Sequence, residues 1–308
     1  VSNRAIKVVY IRIAVICDAY CSINSRRYYM SQWITEEQTP HLRLSAEAEE
    51  VLYSGESEFQ KIEVFKSKEY GMMLALDGVF QTSEREEFIY HEMMSHIPLF
   101  LHPNPERVLI IGGGDGGVAR ECVRHDCVKE VTMVEIDGKV VELAKQYLPT
   151  IAKAMIENHP KLTVKIGDGI GFMAEAEDYY DVIIVDCSDP IGPGEGLFTE
   201  EFYKNTLKAL KADGLFVQQT ESPMLHQPLV EKVFGYVNSH FPIARLYTAF
   251  IPIYPAGMHC FTLGSKTFDP LTWTPNREQN FETKYYNADI QKAAFALPNF
   301  VKNYLPTK

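Results

Sequence analysis

Hydrophobic and polar positions fall into two regimes along the chain. From Trp33 to about Asn104 the pattern is mostly strand-like. "FQKIEVFKS" (59–67) and "YGMMLALDG" (70–78), joined by a short polar turn, predict a hairpin. "EREEFIYHEMMSHIPLFL" (84–101) then takes up helical periodicity, with acids in its first turn. The two prolines of "HPNPE" (102–106) stop any continuing element and mark a boundary. Beyond it, strands and helices alternate: "RVLIIGG", "GGVARECVRH", "EVTMVEID", "GKVVELAKQYL", "LTVKIGD", "DVIIVDC", "EEFYKNTLKALK", "LFVQQTE" and "PLVEKVFGYVNSHF". Apolar strands separated by helices predict a parallel sheet covered on both faces. Two final strands, near 244–252 and 258–265, have no helix between them and predict an antiparallel hairpin at one edge. The expected class is α/β, with a small N-terminal β domain (30–104, including a linking helix) before a Rossmann-like domain (105–308).

Residues 1–29 stand apart. "IKVVYIRIAVIC" is apolar but short, is interrupted by Arg12, and lacks a small-residue cleavage site after it, so it makes a poor signal peptide. The segment is read as an upstream extension, because Met30 is the first methionine and the patterned sequence begins just after it. No apolar run approaches the length of a membrane span. A net charge of −11 argues against nucleic acid, which needs a basic face, and is compatible with a cationic substrate. The six cysteines form no CxxC pair and no disulfide-framework spacing, as expected of reduced thiols in the cytoplasm. Cys187 lies between two aspartates that would raise its pKa, so it is read as inert.

The chemistry concentrates at strand ends. In "LIIGGGDGGVARE" (109–121), Gly112-x-Gly114-x-x-Gly117 follows a strand and opens a helix, so the backbone can approach a ligand there. Glu135 closes the next strand, where a ribose-binding acid is expected. Asp115 discriminates among ligands. A carboxylate inside the glycine loop would repel a pyrophosphate by several kcal/mol, so the ligand beside it should be cationic, as a sulfonium nucleoside bearing an amine is. Asp168, in "IGDG", is either an adenine acceptor or a helix N-cap, and the two roles are compatible. "DCSDPIGPGEGLF" (186–198) places Asp186 and Asp189 at a strand mouth with no basic residue nearby, which calls for compensation from outside the chain. In "YHEMMSH" the histidines are five apart, about 140° around a helix, so metal binding is not expected.

Together "LDGVFQTSEREEFIYHEM", "VLIIGGGDGGVARE", "EID", "GDG", "DCSDPIGPGEGLF", "IPIYPAG" and "YYNADIQKAAFALP" resemble the spermidine synthases, the polyamine aminopropyltransferases. The likeness runs from Trp33 to the C-terminus and is nearer the bacterial branch. It implies a Rossmann-like methyltransferase-type sheet behind the β domain. It also implies transfer of the aminopropyl group of decarboxylated S-adenosylmethionine to putrescine, yielding spermidine and 5′-methylthioadenosine. No metal and no permanently bound cofactor would be needed. By this resemblance Gln60 and Glu135 hold the ribose hydroxyls, Asp168 and Gly169 read the adenine, and Ile136 and Pro193 pack on the base. His91 falls at the aminopropyl end, where many members have glutamine. Asp115 and Asp186 would bind the aminopropyl ammonium, and Tyr90 and Asp186 would flank the attacking amine. Trp33, Asp189, Gln219 and Tyr254 would line the diamine pocket, with 187–197 as a lid. A cytoplasmic homodimer or homotetramer is implied. The rival readings are a putrescine N-methyltransferase using intact S-adenosylmethionine, an aminopropyltransferase with a longer acceptor, and a binding module that has lost its chemistry. Ala256 stands where serine is commoner.

Overall fold

The computed structural model describes residues 32–190 and 192–306, so the expected extension at 1–29 lies outside the described residues. A five-stranded sheet comes first: β1 (Gln32–Thr39), β2 (Leu42–Glu56), β3 (Lys61–Ser67), β4 (Gly71–Leu76) and β5 (Val79–Ser83), in sequential order. β3 and β4 form the expected antiparallel hairpin. Helix α1 (Glu87–Leu101) leads out of this sheet into the second layer.

The second sheet has seven strands. Its elements are β6 (Arg107–Gly112), α2 (Gly117–Val123), β7 (Glu130–Glu135), α3 (Gly138–Tyr147), α4 (Lys153–Ile156), β8 (Leu162–Ile166), α5 (Gly169–Ala174), β9 (Tyr180–Asp186), α6 (Glu200–Ala209), β10 (Leu210–Gln219), α7 (Gln227–His240), β11 (Ile243–Phe250) and β12 (Met258–Ser265). The order is β11-β12-β10-β9-β6-β7-β8, parallel from β10 to β8, with β12 and β11 antiparallel at the edge. α6 stops two residues short of the predicted end. Leu210 pairs with Tyr180 in the sheet and Lys211 reaches Asp181 at 2.8 Å, so these residues gain more as strand than as a further half-turn of helix.

Alternation explains why the strands read as continuous apolar runs. Val108, Ile110, Val182 and Ile184 face one core, while Leu109, Ile111, Ile183 and Val185 face the other. The first core runs on through α1 into the small sheet, taking in Ile97, Met93, Phe65 and Val64. α1 is therefore buried on nearly all sides, with only Phe88 outside the buried set. Its polar side chains must find partners, since each unpaired polar group would cost about 1–3 kcal/mol. Glu92 accepts three backbone N–H groups, from Lys284, Tyr285 and Tyr286, at 2.8, 2.8 and 2.7 Å. That one carboxylate pins the C-terminal tail to the central helix. Helices Ala288–Ala293 and Asn299–Tyr304 follow it. Among the described residues no helix is long and apolar enough to cross a membrane.

Glu92→Ala removes the acceptor of three backbone donors, that of Tyr286 buried, and should destabilise the protein by about 3 kcal/mol. Glu92→Gln, which keeps one acceptor oxygen, should lose about half of that. Urea denaturation measures both, and an unaltered midpoint for the alanine variant would show that packing alone holds the tail.

Candidate active site

Strand order reverses at β6, whose neighbours β9 and β7 are reached by connections running in opposite directions. Such a switch point opens a crevice beyond the carboxyl ends of the strands. A cavity of about 270 Å³ lies there. It is walled by the ends of β6, β7, β9 and β10, by the start of α5, by α1, by β1, β4 and β5 of the small sheet, and by Phe59 and Gln60 just before β3.

Gly112 stands opposite Asp186 in the β6–β9 register and has φ +81°. A side chain there would place its Cβ 2.1 Å from the Asp186 carbonyl oxygen, so glycine is required for both conformation and space. The turn continues with Gly113 N–H donating to that same oxygen at 2.8 Å. Asp115 accepts from Gly117 N–H at 2.9 Å. Gly114 passes close to Glu135, whose Oε2 would lie 3.0 Å from an added Cβ.

The residues expected at the nucleoside end are brought together. Glu135 is buried at the tip of β7 and accepts from Asp137 N–H at 2.9 Å. Burial pushes its carboxyl up to about 7, against the pull of that backbone hydrogen bond. Gln60 comes from the small sheet and donates to Asp137 at 2.9 Å, where Ser57 also donates at 2.6 Å. Asp168 caps α5, accepting from Ile170 N–H at 2.9 Å and Gly171 N–H at 3.2 Å, while also lining the cavity with Gly169 and Ile136. The cap is thus present, and the carboxylate still faces the crevice. The side chain of Pro193 lies outside the described residues.

A second group surrounds Asp186. The Tyr90 hydroxyl donates to Asp186 Oδ1 at 2.7 Å. Burial, and next the Asp115 charge, push the Asp186 carboxyl up to about 6, with His91 and Tyr90 pulling the other way. Tyr90 is held well above its ordinary pKa by burial and by Asp186, so it stays a phenol. The imidazole of His91 lies 3.2 Å from Asp115 through Nε2 and 2.5 Å from Glu87 through Nδ1. Burial opposes a charged ring there, yet the carboxylates of Asp115 and Glu87 hold its pKa well above the usual value. The acids of the loop are therefore compensated in part from within, by a cation that the local sequence around them does not contain. His91, Asp115 and Asp186 also offer three donor atoms within 4.8 Å of one another. Both imidazole nitrogens already face carboxylates, which leaves the protonated ring no lone pair for a metal.

The third group lies on the same cavity wall. Asp189 is pushed up by burial and by the neighbouring Glu221, whereas Glu221, despite its own burial, is drawn down by His226, 3.2 Å away, and by Asp189. Burial likewise raises Glu36 to about 7, with Glu221 adding to the rise. Gln219 donates to the Cys187 carbonyl at 3.0 Å and lies 3.0 Å from the His259 Nε2. The Tyr254 hydroxyl donates to the Gln81 carbonyl at 2.8 Å, and its ring meets that of Tyr90 edge-on. Burial, with the Asp186 charge next, raises the Cys187 thiol far out of the thiolate range. Among the described residues lining the cavity there is no lysine and no arginine.

Trp33 is not brought to this site. It sits near the start of β1, is 56% exposed, and is absent from the cavity wall. Glu36, Glu221 and His259 line the cavity without having been singled out from the motifs. Glu36 had a signal, since it shares the inward parity of Ile34 on β1. Glu221 lies two residues beyond the end of β10 and takes a left-handed φ of +63°.

Similarity to known proteins follows the same outline. Residues 87–272 match the spermine/spermidine synthase domain, and residues 32–84 match the spermidine synthase tetramerisation domain. The polyamine aminopropyltransferase of Bacillus cytotoxicus is 51% identical over 272 residues, covering 88% of this chain and 98% of that relative. The one from Bacillus subtilis is 48% identical over 273 residues, covering 89% and 98%. Among solved structures, a spermidine synthase in complex with the transition state analogue AdoDATO superposes with a TM-score of 0.87 at 41% identity, covering 92% of this chain and 96% of that one. The Thermotoga maritima spermidine synthase gives 0.84 at 40%, covering 92% and 95%.

Gly112→Ala should cost about 2–4 kcal/mol through strain and collision. Gly167→Ala is the matched control, because an added Cβ there meets nothing within 4 Å, and it should stay within about 0.5 kcal/mol of the parent. Thermal unfolding compares the two. Equal losses would show that Gly112 is no tighter than an ordinary loop position.

Proposed function

The chain belongs to the spermidine synthase (polyamine aminopropyltransferase) family, and on that premise we propose that it transfers the aminopropyl group of decarboxylated S-adenosylmethionine to putrescine. One observation carries the reading: a single cavity joins the crevice at Glu135 and Asp168 to two further groups of wholly or partly buried acids, with no lysine or arginine among its described lining. Buried like charges are costly, so a site built this way needs cations from its ligands. The donor supplies a sulfonium and an ammonium, and the diamine supplies two more positive charges.

In this reading Glu135 and Gln60 take the ribose end and Asp168 the adenine amino group. Gly112 and Gly114 let the donor's backbone-side face approach the loop. Asp115 and Asp186 take the aminopropyl ammonium. Asp189, Glu221 and Glu36 take the far ammonium of the acceptor, with Gln219 and Tyr254 shaping the pocket between. The acceptor nitrogen attacks the methylene carbon beside the sulfonium. The new C–N bond forms as the C–S bond breaks, its electron pair passing to sulfur and leaving neutral 5′-methylthioadenosine. An amine with a pKa near that of lysine, about 10, arrives protonated and must lose a proton before attack. Asp186 accepts it, and the Tyr90 hydroxyl orients the nitrogen while anchoring the carboxylate. No resident cofactor takes part. The small sheet is the proposed contact surface for a homodimer or homotetramer, and a cytoplasmic location fits its small-molecule substrates.

Donor choice tests the reading directly. Intact S-adenosylmethionine carries a carboxylate that would be held near Asp115 and Asp186, a repulsion of several kcal/mol and easily a thousandfold in binding. With putrescine and each donor supplied separately, mass analysis should find spermidine and 5′-methylthioadenosine from the decarboxylated form only. N-methylputrescine from intact donor would identify a methyltransferase instead.

Asp186→Asn should lower kcat by about 10²–10⁴. In the parent enzyme kcat/KM should fall as pH drops through about 6, where the Asp186 carboxyl takes up its proton and can no longer accept one from the amine. Full recovery of the variant at alkaline pH would reduce Asp186 to an electrostatic anchor.

A further inference from the structure

Behind the acids of the cavity runs a file of buried polar side chains that the reaction as described does not use. His91 Nδ1 meets Glu87 at 2.5 Å, and Glu87 is gripped by Arg120 through two hydrogen bonds of 2.9 and 2.8 Å. Arg120 Nε then donates to Glu121 at 2.8 Å, and Glu121 lies 3.2 Å from His96, which meets His125 at 3.0 Å. Glu87, His91, Glu121, His96 and His125 are all buried.

The geometry around His91 is specific. Its ring packs on the first turn of α2, where a Cβ on Gly117 would come within 2.2 Å of Cε1. The third glycine of the loop motif therefore makes room for the ring. Its own helix contributes Glu86, Glu87 and the edge of the Tyr90 ring; the loop contributes Asp115, and the end of β9 contributes Asp186. Arg120, from α2, reaches it only through Glu87. A carboxylate stands at each ring nitrogen, so both nitrogens act as donors and the ring is a cation.

We propose that Glu87, clamped by Arg120, is a positioning residue that keeps His91 an imidazolium against Asp115 and so keeps Asp186 ionised to receive the proton of the amine. This rests on the reading of Asp186 as proton acceptor. Asp115 and Asp186 repel each other across the cavity mouth, and a fixed cation beside Asp115 relieves that repulsion before any substrate arrives. Glu87 is itself held ionised: burial works against its charge, but His91 and Arg120 pull its pKa down to about 2. A merely structural pair between α1 and α2 would affect stability and leave the pH dependence of turnover alone.

The test combines side-chain ¹⁵N NMR of labelled histidine with pH profiles of kcat/KM. In the ligand-free parent, His91 should keep the imidazolium signature from pH 6 to 8.5. Glu87→Gln should let the ring lose its charge within that range and move the acid limb of kcat/KM up by about one unit, the size expected for loss of a neighbouring opposite charge. Glu87→Asp, which keeps the charge, should restore both. A neutral His91 in the parent at pH 7.5 overturns the proposal, as does an acid limb that stays in place in Glu87→Gln while the ring discharges. Should Glu87→Gln not fold, His91→Gln must move the limb the same way, and a fixed limb there is equally fatal. Absence of any acid limb in the parent would strike the proton-acceptor role of Asp186 instead, while the ring titration still decides whether Glu87 holds the charge.

Discussion

Asp186 and Asp115 are two partly buried carboxylates close together at the mouth of the β6–β9 crevice, and the surrounding structure is arranged around that repulsion. Left alone, such a pair would take up a proton or draw in water. Instead the Gly112 turn pins the Asp186 backbone, the Tyr90 hydroxyl binds one of its oxygens, and His91 stands at 3.2 Å from Asp115. The residual imbalance favours whatever cation enters.

Much of this depends on α1. It is an almost wholly buried helix whose polar residues each serve a different neighbour. Tyr90 and His91 face the crevice, Glu92 binds the C-terminal tail, and His96 stands between Glu121 and His125. A helix of this kind cannot shift without breaking several buried polar contacts at once. That rigidity holds the small sheet, which supplies Gln60 and Glu36, in fixed relation to the strand ends that supply Asp186 and Glu135.

The acids are not interchangeable, although all are aspartates or glutamates in one cavity. Glu135 is raised chiefly by burial, Asp186 by burial and the Asp115 charge, and Asp189 by burial and the neighbouring Glu221. Those differences give one crevice three electrostatically distinct regions.

Period-2 and period-3.6 patterns made the order of strands and helices legible, because burial on both faces leaves apolar runs of a length that only strands and their covering helices share. The glycine loop, Glu135 and Asp168 were legible for a local reason: a turn with φ near +81° and an N-cap are specified by residues within a few positions of each other. Glu36, Glu221 and the Glu87–Arg120 clamp were not, since each acquires meaning only from a neighbour far along the chain. His91 shows the limit best. Five-residue spacing correctly separated it from His96, but its charge depends on Asp115, twenty-four positions away, and on a carboxylate one turn back along its own helix. Local sequence determines which backbone conformations are cheap; the charge state of a buried group is decided by which distant dipoles and charges replace its water, and only the folded chain brings those together.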